Sequence, residues 1–524
     1  MSGTTHSVSK PKGTSQSRSS LEQLASGAGI AFVLSMVGFG LMFVFKLFAA
    51  RHFGPHDFGV FSLLETVLGL TALVAGLGLT GGLSRYVPYY KERKEFGLLK
   101  GYIRFVSVLG FASGFVVGGL VYIFASQITA FFGFPLEFVR FLQILGFTVP
   151  FIVVDNVFRR FFIASKKVGY QRFSTQVLEK GVFLLGLALI WLFELGLVWL
   201  VVTYIAGKFL PLVFDSLMFK RLWTVPKGTV SSFAKKEWFY FSLPLLFTGM
   251  FAFVIRWTDN LVVGRVMTPE SLGVYSIVFS FVTLLSFFQR SFIPMFMPII
   301  TEHHAKGDSS HISFLFRKSS AWVFGLSLPI ALLMIVYGKQ LLVLLYGESY
   351  AVGHLPLMIL AVGFLINVGS GLGNQIIMMH KKTKYLFYVN VGVALLNLGL
   401  NISLIPVLGL EGAALSSAVS MGLQNILYFR IARRFETLSF DWRYYFKFLV
   451  AGLPAAFIAR YIFHFGLNKI LAVVLSLGVY AGLYLFLLLL MRTFTKEDFK
   501  VLLMFEKRLH LNLKFIKKIV MRFY

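Results

Sequence analysis

Apolar runs of roughly 20 residues, separated by short polar segments, recur along the whole chain. A run of that length is what an α-helix needs to cross the hydrocarbon core of a bilayer, about 30 Å thick at 1.5 Å per residue. The pattern therefore predicts an all-α polytopic membrane protein with fourteen transmembrane helices. Twelve are expected over residues 21–49, 57–83, 101–125, 136–164, 173–193, 196–219, 238–264, 272–300, 319–337, 355–379, 385–405 and 412–430, and two more over 448–465 and 470–491.

Within this pattern one short stretch occurs twice. FGPHDFGVFSLL (Phe53 to Leu64) returns as MTPESLGVYSIV (Met267 to Val278), so that Pro55, Gly59, Val60, Phe61 and Ser62 align with Pro269, Gly273, Val274, Tyr275 and Ser276. Each copy lies between two apolar runs, where Pro and then Gly mark a turn between helices. YVPYY at Tyr86 parallels FMPII at Phe296, SKKVGY at Ser165 parallels HKKTKY at His380, and Leu195-Gly196 parallels Glu411-Gly412, all at nearly the same spacing. Landmarks kept in order indicate an internal duplication, a known architecture of transporters. Six helices per repeat is an even number, so both repeats enter the membrane from one side. The expectation is two parallel six-helix lobes related by pseudo-twofold symmetry, plus two extra C-terminal helices. The divisions are a disordered N-terminus (1–20), an N-lobe (21–220), a linker (221–237), a C-lobe (238–430), the last two helices with their preceding loop (431–491), and a tail (492–524) read as a basic amphipathic segment on the membrane surface.

Composition agrees, with 57% hydrophobic and only 14% charged residues. Charge adds an orientation. Of the 50 Lys and Arg residues, thirty-nine fall on one side if the N-terminus is cytoplasmic, against four on the other, with seven inside helices. That asymmetry is the positive-inside pattern, and places both termini in the cytoplasm. The formal net charge of +28 is spread over short loops, so nucleic acid is not an expected partner. Zero Cys removes disulfides, thiolate metal ligands and a cysteine nucleophile. Phosphate-loop, HExxH and GxSxG motifs are absent, and no loop has room for a catalytic domain, so the chain reads as a transporter rather than an enzyme. His303, His304 and His311 read as part of a solvated loop, and neither a metal nor a cofactor is expected.

The informative residues are charges inside apolar runs, because such groups normally face a cavity or a partner. Lys46, Arg256 and Arg290 flank the repeated turns and are candidates for binding an anionic head group in a central cavity, with Arg85 at the inner end of helix 2. An ion pair between Arg256 and Asp259, three apart on one helix face, is the competing explanation. Asp259 and Glu65 are candidates for ion coupling, since a carboxylate in a dry cavity can trade a proton for a cation. Asn397 and Asn401 line one face of helix 11; with Asp155 they are further cavity candidates, interhelical hydrogen bonding being the alternative for the asparagines. Glu179, Lys180 and Asp215 lie near helix ends, where side chains snorkel. Gly110, Gly114 and Gly118 in helix 3, and Gly78 with Gly82, read as close helix packing.

RHFGPHDFGVFSLLETVLGLTALVAGLGLTGGLSRYVPYY, from Arg51 to Tyr90, resembles the N-terminal signature of the polysaccharide exporters, or lipid-linked oligosaccharide flippases, of the multidrug/oligosaccharidyl-lipid/polysaccharide (MOP) flippase superfamily. Asp259 to Ser280 is similar to their helix 7 to 8 turn, and Asn397 to Ser420 to their helices 11 and 12. The resemblance implies alternating access that carries a polyprenyl-phosphate or polyprenyl-pyrophosphate glycan across the cytoplasmic membrane. It also implies coupling to an H+ or Na+ gradient or to the membrane potential. Expected partners are that substrate, membrane lipids and a glycan polymerase or chain-length machinery; the working unit is expected to be a monomer. Rival readings are a lipid-linked peptidoglycan precursor flippase, a cation-coupled multidrug antiporter and a membrane-embedded glycan polymerase or ligase.

Overall fold

The computed structural model describes residues 13–462 and 469–493, with side chains from Val33 onward. The described residues form helices and no strands, and ten helical stretches are long and apolar enough to cross a membrane. The first, α1 (Gly13–Ala75), begins inside the segment expected to be disordered. Gln16, Arg18, Leu21, Glu22, Leu24 and Ala25 are all good helix formers and extend the helix upstream. The amphipathic tail expected beyond Thr493 lies outside the described residues.

Helices 1 and 2 of the sequence reading run together in α1 and are separated by a break at Gly54 (φ 72°) just before Pro55. Helices 11 and 12 run together in the same way, broken at Gly409 (φ 61°). Positive φ is costly for any residue with a Cβ, so these glycines set where the chain bends. The Gly76-Leu77-Gly78 step divides expected helix 2 early, and the chain continues as α2 (Leu79–Glu92).

After α2 come α3 (Phe96–Ile123), α4 (Ala125–Phe132), α5 (Glu137–Ala164), α6 (Val168–Arg172), a π-helical turn (Phe173–Leu178), α7 (Glu179–Leu192) and α8 (Leu197–Leu222). The second half holds α9 (Lys235–Val266), α10 (Pro269–Val282), α11 (Ser286–Ala305), α12 (Ser309–Tyr346), α13 (His354–Gly369), α14 (Gly373–Met379), α15 (Thr383–Ala432), α16 (Trp442–Arg460) and α17 (Lys469–Leu490). The chain divides into two units. Unit 1 takes the chain up to Lys46 with Leu68–Ala125 and Val139–Phe247; unit 2 takes Leu47–Val67, Ser126–Phe138 and everything from Thr248.

In unit 1 the glycines of α3 act as the sequence suggested. A Cβ on Gly114 would lie 2.6 Å from the Pro150 Cα, and one on Gly118 2.2 Å from the Gly146 carbonyl oxygen, so α3 and α5 touch backbone to backbone. An aromatic cluster closes one end of the unit: the Trp238 indole donates to the Tyr90 hydroxyl (2.9 Å), and the Tyr86 hydroxyl donates to Glu237 (3.0 Å). The linker after α8 is anchored on α3, where Lys100 reaches the Thr229 carbonyl (2.8 Å) and the Ser232 N–H donates to Gly97 (3.0 Å).

In unit 2 the two copies of the repeated turn pack on each other reciprocally. A Cβ on Gly59 would fall 1.8 Å from the Pro269 carbonyl oxygen, and one on Gly273 1.9 Å from that of Pro55. The aligned glycines thus admit each other's turns, which no larger residue could do. Thr268 caps α10 with Pro269 in its first turn. Arg51 donates to the Leu344 carbonyl (2.8 Å) and the Tyr350 hydroxyl to that of Ala50 (3.1 Å), tying the first turn to the end of α12. At the other end of the sequence, α16 and α17 pack on α12 through Ala451, Ala455 and Ala459 against Leu328, Leu332 and Tyr484.

Candidate functional site

Asp259 is the most enclosed of the candidate carboxylates, in α9 of unit 2, with 3% of its surface exposed. Asn401 donates its amide to one carboxylate oxygen at 2.7 Å. The other oxygen accepts the Tyr275 hydroxyl at 2.5 Å and the Ser417 hydroxyl. Asn397 holds Asn401 in place through its backbone carbonyl (3.0 Å) and side-chain oxygen (3.2 Å). Every one of these donors is neutral. The oxygen of the Asn401 side chain, also buried, has no hydrogen-bond donor. The group therefore gathers oxygen atoms around one carboxylate whose charge no cationic side chain cancels, an arrangement suited to a proton or a small hard cation.

The competing ion pair between Arg256 and Asp259 does not form. Arg256 is exposed, its guanidinium carbon 5.8 Å from the Trp257 ring centre, because Tyr275, Asn401 and Ser417 saturate the carboxylate from the far side of the helix. Arg290, in α11, is exposed as well. Among the described residues neither arginine meets a carboxylate within 4 Å. An arginine without a carboxylate partner favours an anion.

The other sequence candidates are placed separately. Lys46 is half-buried in the unit 1 part of α1. Arg85 is exposed on α2, with its guanidinium carbon 4.7 Å from the Phe241 ring centre. Glu65 is half-buried beside Thr66, whose hydroxyl accepts the Asn260 amide at 3.2 Å. Asn397 and Asn401 are buried supports of Asp259 rather than residues facing open space. Tyr275 and Ser417 escaped the sequence reading, since a hydroxyl in an apolar helix is unremarkable until the fold brings a carboxylate to it.

Asp155 is likewise not open to a cavity. It is buried and forms an ion pair with Arg159 (2.7 Å), which also binds Glu179 (3.2 Å) and Asp215 (3.1 Å). Glu179 further binds Lys208 (2.8 Å) and Lys180 (3.0 Å), and Ser174 in the π-helical turn donates to Asp215 (2.6 Å). Snorkelling at helix ends is therefore the wrong account of Glu179 and Asp215, both of which are buried. The reason is that Arg159, one of the thirty-nine basic residues counted to the cytoplasmic side, pairs instead with the carboxylates of α5, α7 and α8.

Comparison with known proteins adds identity to this geometry. Residues 48–354 match the model of the family described as polysaccharide biosynthesis protein. The chain is 21% identical over 417 residues to the probable low-salt glycan biosynthesis flippase Agl15 of Haloferax volcanii, covering 78% of this chain and 84% of that protein. It is 26% identical over 204 residues to the capsular polysaccharide biosynthesis protein CapF of Staphylococcus aureus, covering 38% of this chain and half of that protein. Among solved structures, the lipid II flippase MurJ in an inward closed conformation superposes with a TM-score of 0.69 at 16% identity, over 87% of this chain and 97% of that one. An inward-facing multidrug resistance MATE transporter of the MOP superfamily gives a TM-score of 0.58 at 15% identity, over 78% of this chain and 97% of that one. With a family match across more than half its length, the chain belongs to the polysaccharide biosynthesis protein family, and it has the helical fold of these transporters.

Proposed function

We propose that this protein flips a polyprenyl-phosphate- or polyprenyl-pyrophosphate-linked oligosaccharide across the cytoplasmic membrane by alternating access, with both termini in the cytoplasm. The observation that supports the reading is that Arg256 and Arg290, two exposed arginines in apolar helices of unit 2, meet no carboxylate within 4 Å among the described residues. A phosphate or pyrophosphate supplies that missing charge through fork-like hydrogen bonds, for which Arg is suited. A relative named as a glycan biosynthesis flippase supports the same substrate class. An organic-cation antiporter is disfavoured, because a cationic drug would meet like charge at Arg256 or at Arg290. Lys46 and Arg85 are assigned to further contacts with the anionic head group.

In this reading the chain has fourteen membrane helices, counting the arms on either side of Gly54 and Gly409 separately and adding α16 and α17. The reciprocal packing of Gly59 and Gly273 supports a pseudo-twofold relation between two six-helix repeats. Asp259 is assigned the coupling role, taking up H+ or Na+ among Tyr275, Asn397, Asn401 and Ser417; Glu65 is the secondary candidate. Loading such a buried carboxylate changes the free energy of one conformation relative to the other, which is what coupling requires.

The test is translocation of a polyprenyl-pyrophosphate oligosaccharide in reconstituted vesicles. Arg256→Ala combined with Arg290→Ala is expected to slow flipping by tenfold or more, about 1.4 kcal/mol at least, in protein that elutes as a folded species. Unchanged flipping in that variant refutes the assignment. Preference for a peptide-bearing precursor over a peptide-free glycan would instead move the protein to the peptidoglycan reading.

A further inference from the structure

At the far end of the α10–α11 arm from the repeated turn, three helix ends of unit 2 converge on one carboxylate. His304 belongs to the last turn of α11, His380 follows α14, and Glu436 lies just beyond α15. His380 Nε2 is 2.9 Å and His304 Nδ1 3.9 Å from the same oxygen, Glu436 Oε1. The ligating atoms of all three residues lie within 4.8 Å of one another. We propose that His304, His380 and Glu436 form a binding site for a divalent transition metal, with Zn2+ the best fit.

The geometry suits that ion. Ligand atoms about 2.0–2.2 Å from a tetrahedral Zn2+ sit roughly 3.3–3.6 Å apart. The two distances to Glu436 Oε1 bracket this range, so shifts of a few tenths of an ångström admit the metal. At 3.9 Å, His304 is too far from Oε1 for a hydrogen bond, so direct bonding does not account for its approach. Glu436 is also held ready: the Ser309 hydroxyl donates to its other oxygen, Oε2, leaving Oε1 turned to the imidazoles. A fixed outer contact of this kind is what orients a metal ligand. Glu436 is buried, and His380 is packed against the Phe435 ring with centroids 5.2 Å apart.

The choice of metal follows from the donors and the surroundings. Lys381, Lys382, Arg433 and Arg434 are exposed nearby in the chain. A hard ion such as Ca2+ or Mg2+ relies on several anionic oxygens, and here finds one carboxylate among basic groups. Two imidazoles favour a transition metal, which gains from directional bonds to nitrogen. A neighbouring group, His303, Asp308 and His311, is a weaker candidate because its carboxylate is far more open to water than the buried Glu436, with 39% against 4% of the side chain exposed, and Asp308 also has a structural task. It caps α12 by accepting the His311 N–H (3.0 Å) and also accepts from Ser310 (2.8 Å). These bonds, the backbone N–H foremost, hold its carboxyl below the ordinary aspartate range. With three protein ligands, the proposed site keeps one position for water, and the bound metal would tie the ends of α11, α14 and α15 together.

The experiment is titration of the purified, chelator-treated full chain with Zn2+ by calorimetry, with Co2+ absorption as a second probe. One equivalent is expected to bind, with the intense visible bands of four-coordinate Co2+, and to raise Tm. His304→Ala and His380→Ala should each weaken binding by about 100-fold or more and abolish the Tm rise. His303→Ala with His311→Ala should leave both unchanged. His304 is exposed, so its variant decides the matter even if loss of His380 disturbs folding. Absence of Zn2+ binding to the wild-type chain, equally tight binding by the His304→Ala variant, or loss of binding in the His303/His311 variant overturns the proposal.

Discussion

Unit 1 and unit 2 each bury acidic side chains in apolar helices, and they neutralise them in opposite ways. Around Arg159, three carboxylates (Asp155, Glu179, Asp215) meet three cations (Arg159, Lys180, Lys208) in direct contact. The formal charges cancel within the group. Around Asp259, a lone carboxylate meets two hydroxyls and an amide, none of them charged. Burial is nearly the same, yet the surroundings differ: the first group has its counter-ions built in, whereas the second is met only by neutral donors. Partner charge, more than depth, therefore separates a carboxylate that holds helices together from one available for exchange.

Removing the shared cation is the most severe way to break this comparison. Arg159→Ala leaves three buried carboxylates around a space that held their common partner, and about 3–5 kcal/mol of stability should be lost. Thermal unfolding followed by size-exclusion chromatography would show it; a variant as stable as wild type would mean that water already serves the group. Asp259→Asn sharpens the contrast from the other side. Asn is close in shape and can keep neutral hydrogen bonds, so Tm should change little while gradient-driven flipping falls by about tenfold or more, at least 1.4 kcal/mol. Retained gradient dependence in that variant would remove Asp259 from the coupling role.

Smaller effects test the supports. Asn401→Ala removes a hydrogen bond to a charged group and should cost about 1.5–3 kcal/mol, read as a lower Tm, together with weaker dependence of transport on the driving ion. Thr66→Val removes the neutral bond from Asn260 and should cost about 1 kcal/mol with the coupling ratio unchanged. A change in coupling from Thr66→Val would extend the Asp259 group towards Glu65, the neighbour of Thr66 in α1.

Much of this was legible in the chain. The repeated Pro and Gly landmarks marked the turns that later pack on one another, and Gly114 and Gly118 announced the contact between α3 and α5. Asp259 stood out because a carboxylate in an apolar run is costly wherever it points. Its partners were harder to read. Position i+3 on the same helix suggested Arg256, whereas the carboxylate is bound by Tyr275 from α10 and by Asn401 and Ser417 from the two arms of α15. Arg159 was misread for a related reason: near the end of an apolar run it counts towards the topology rule, and sequence has no means of showing that its side chain turns inward.

The order of polar and apolar residues by itself determined that this protein is helical and membrane-spanning, because helix length and backbone satisfaction in lipid are local requirements. Which buried charges are cancelled, which hydroxyls and amides meet Asp259, and that His304, His380 and Glu436 meet at all were decided only by tertiary structure. Those relations join residues tens to hundreds of positions apart, and electrostatic energy depends on their separation in space rather than along the chain.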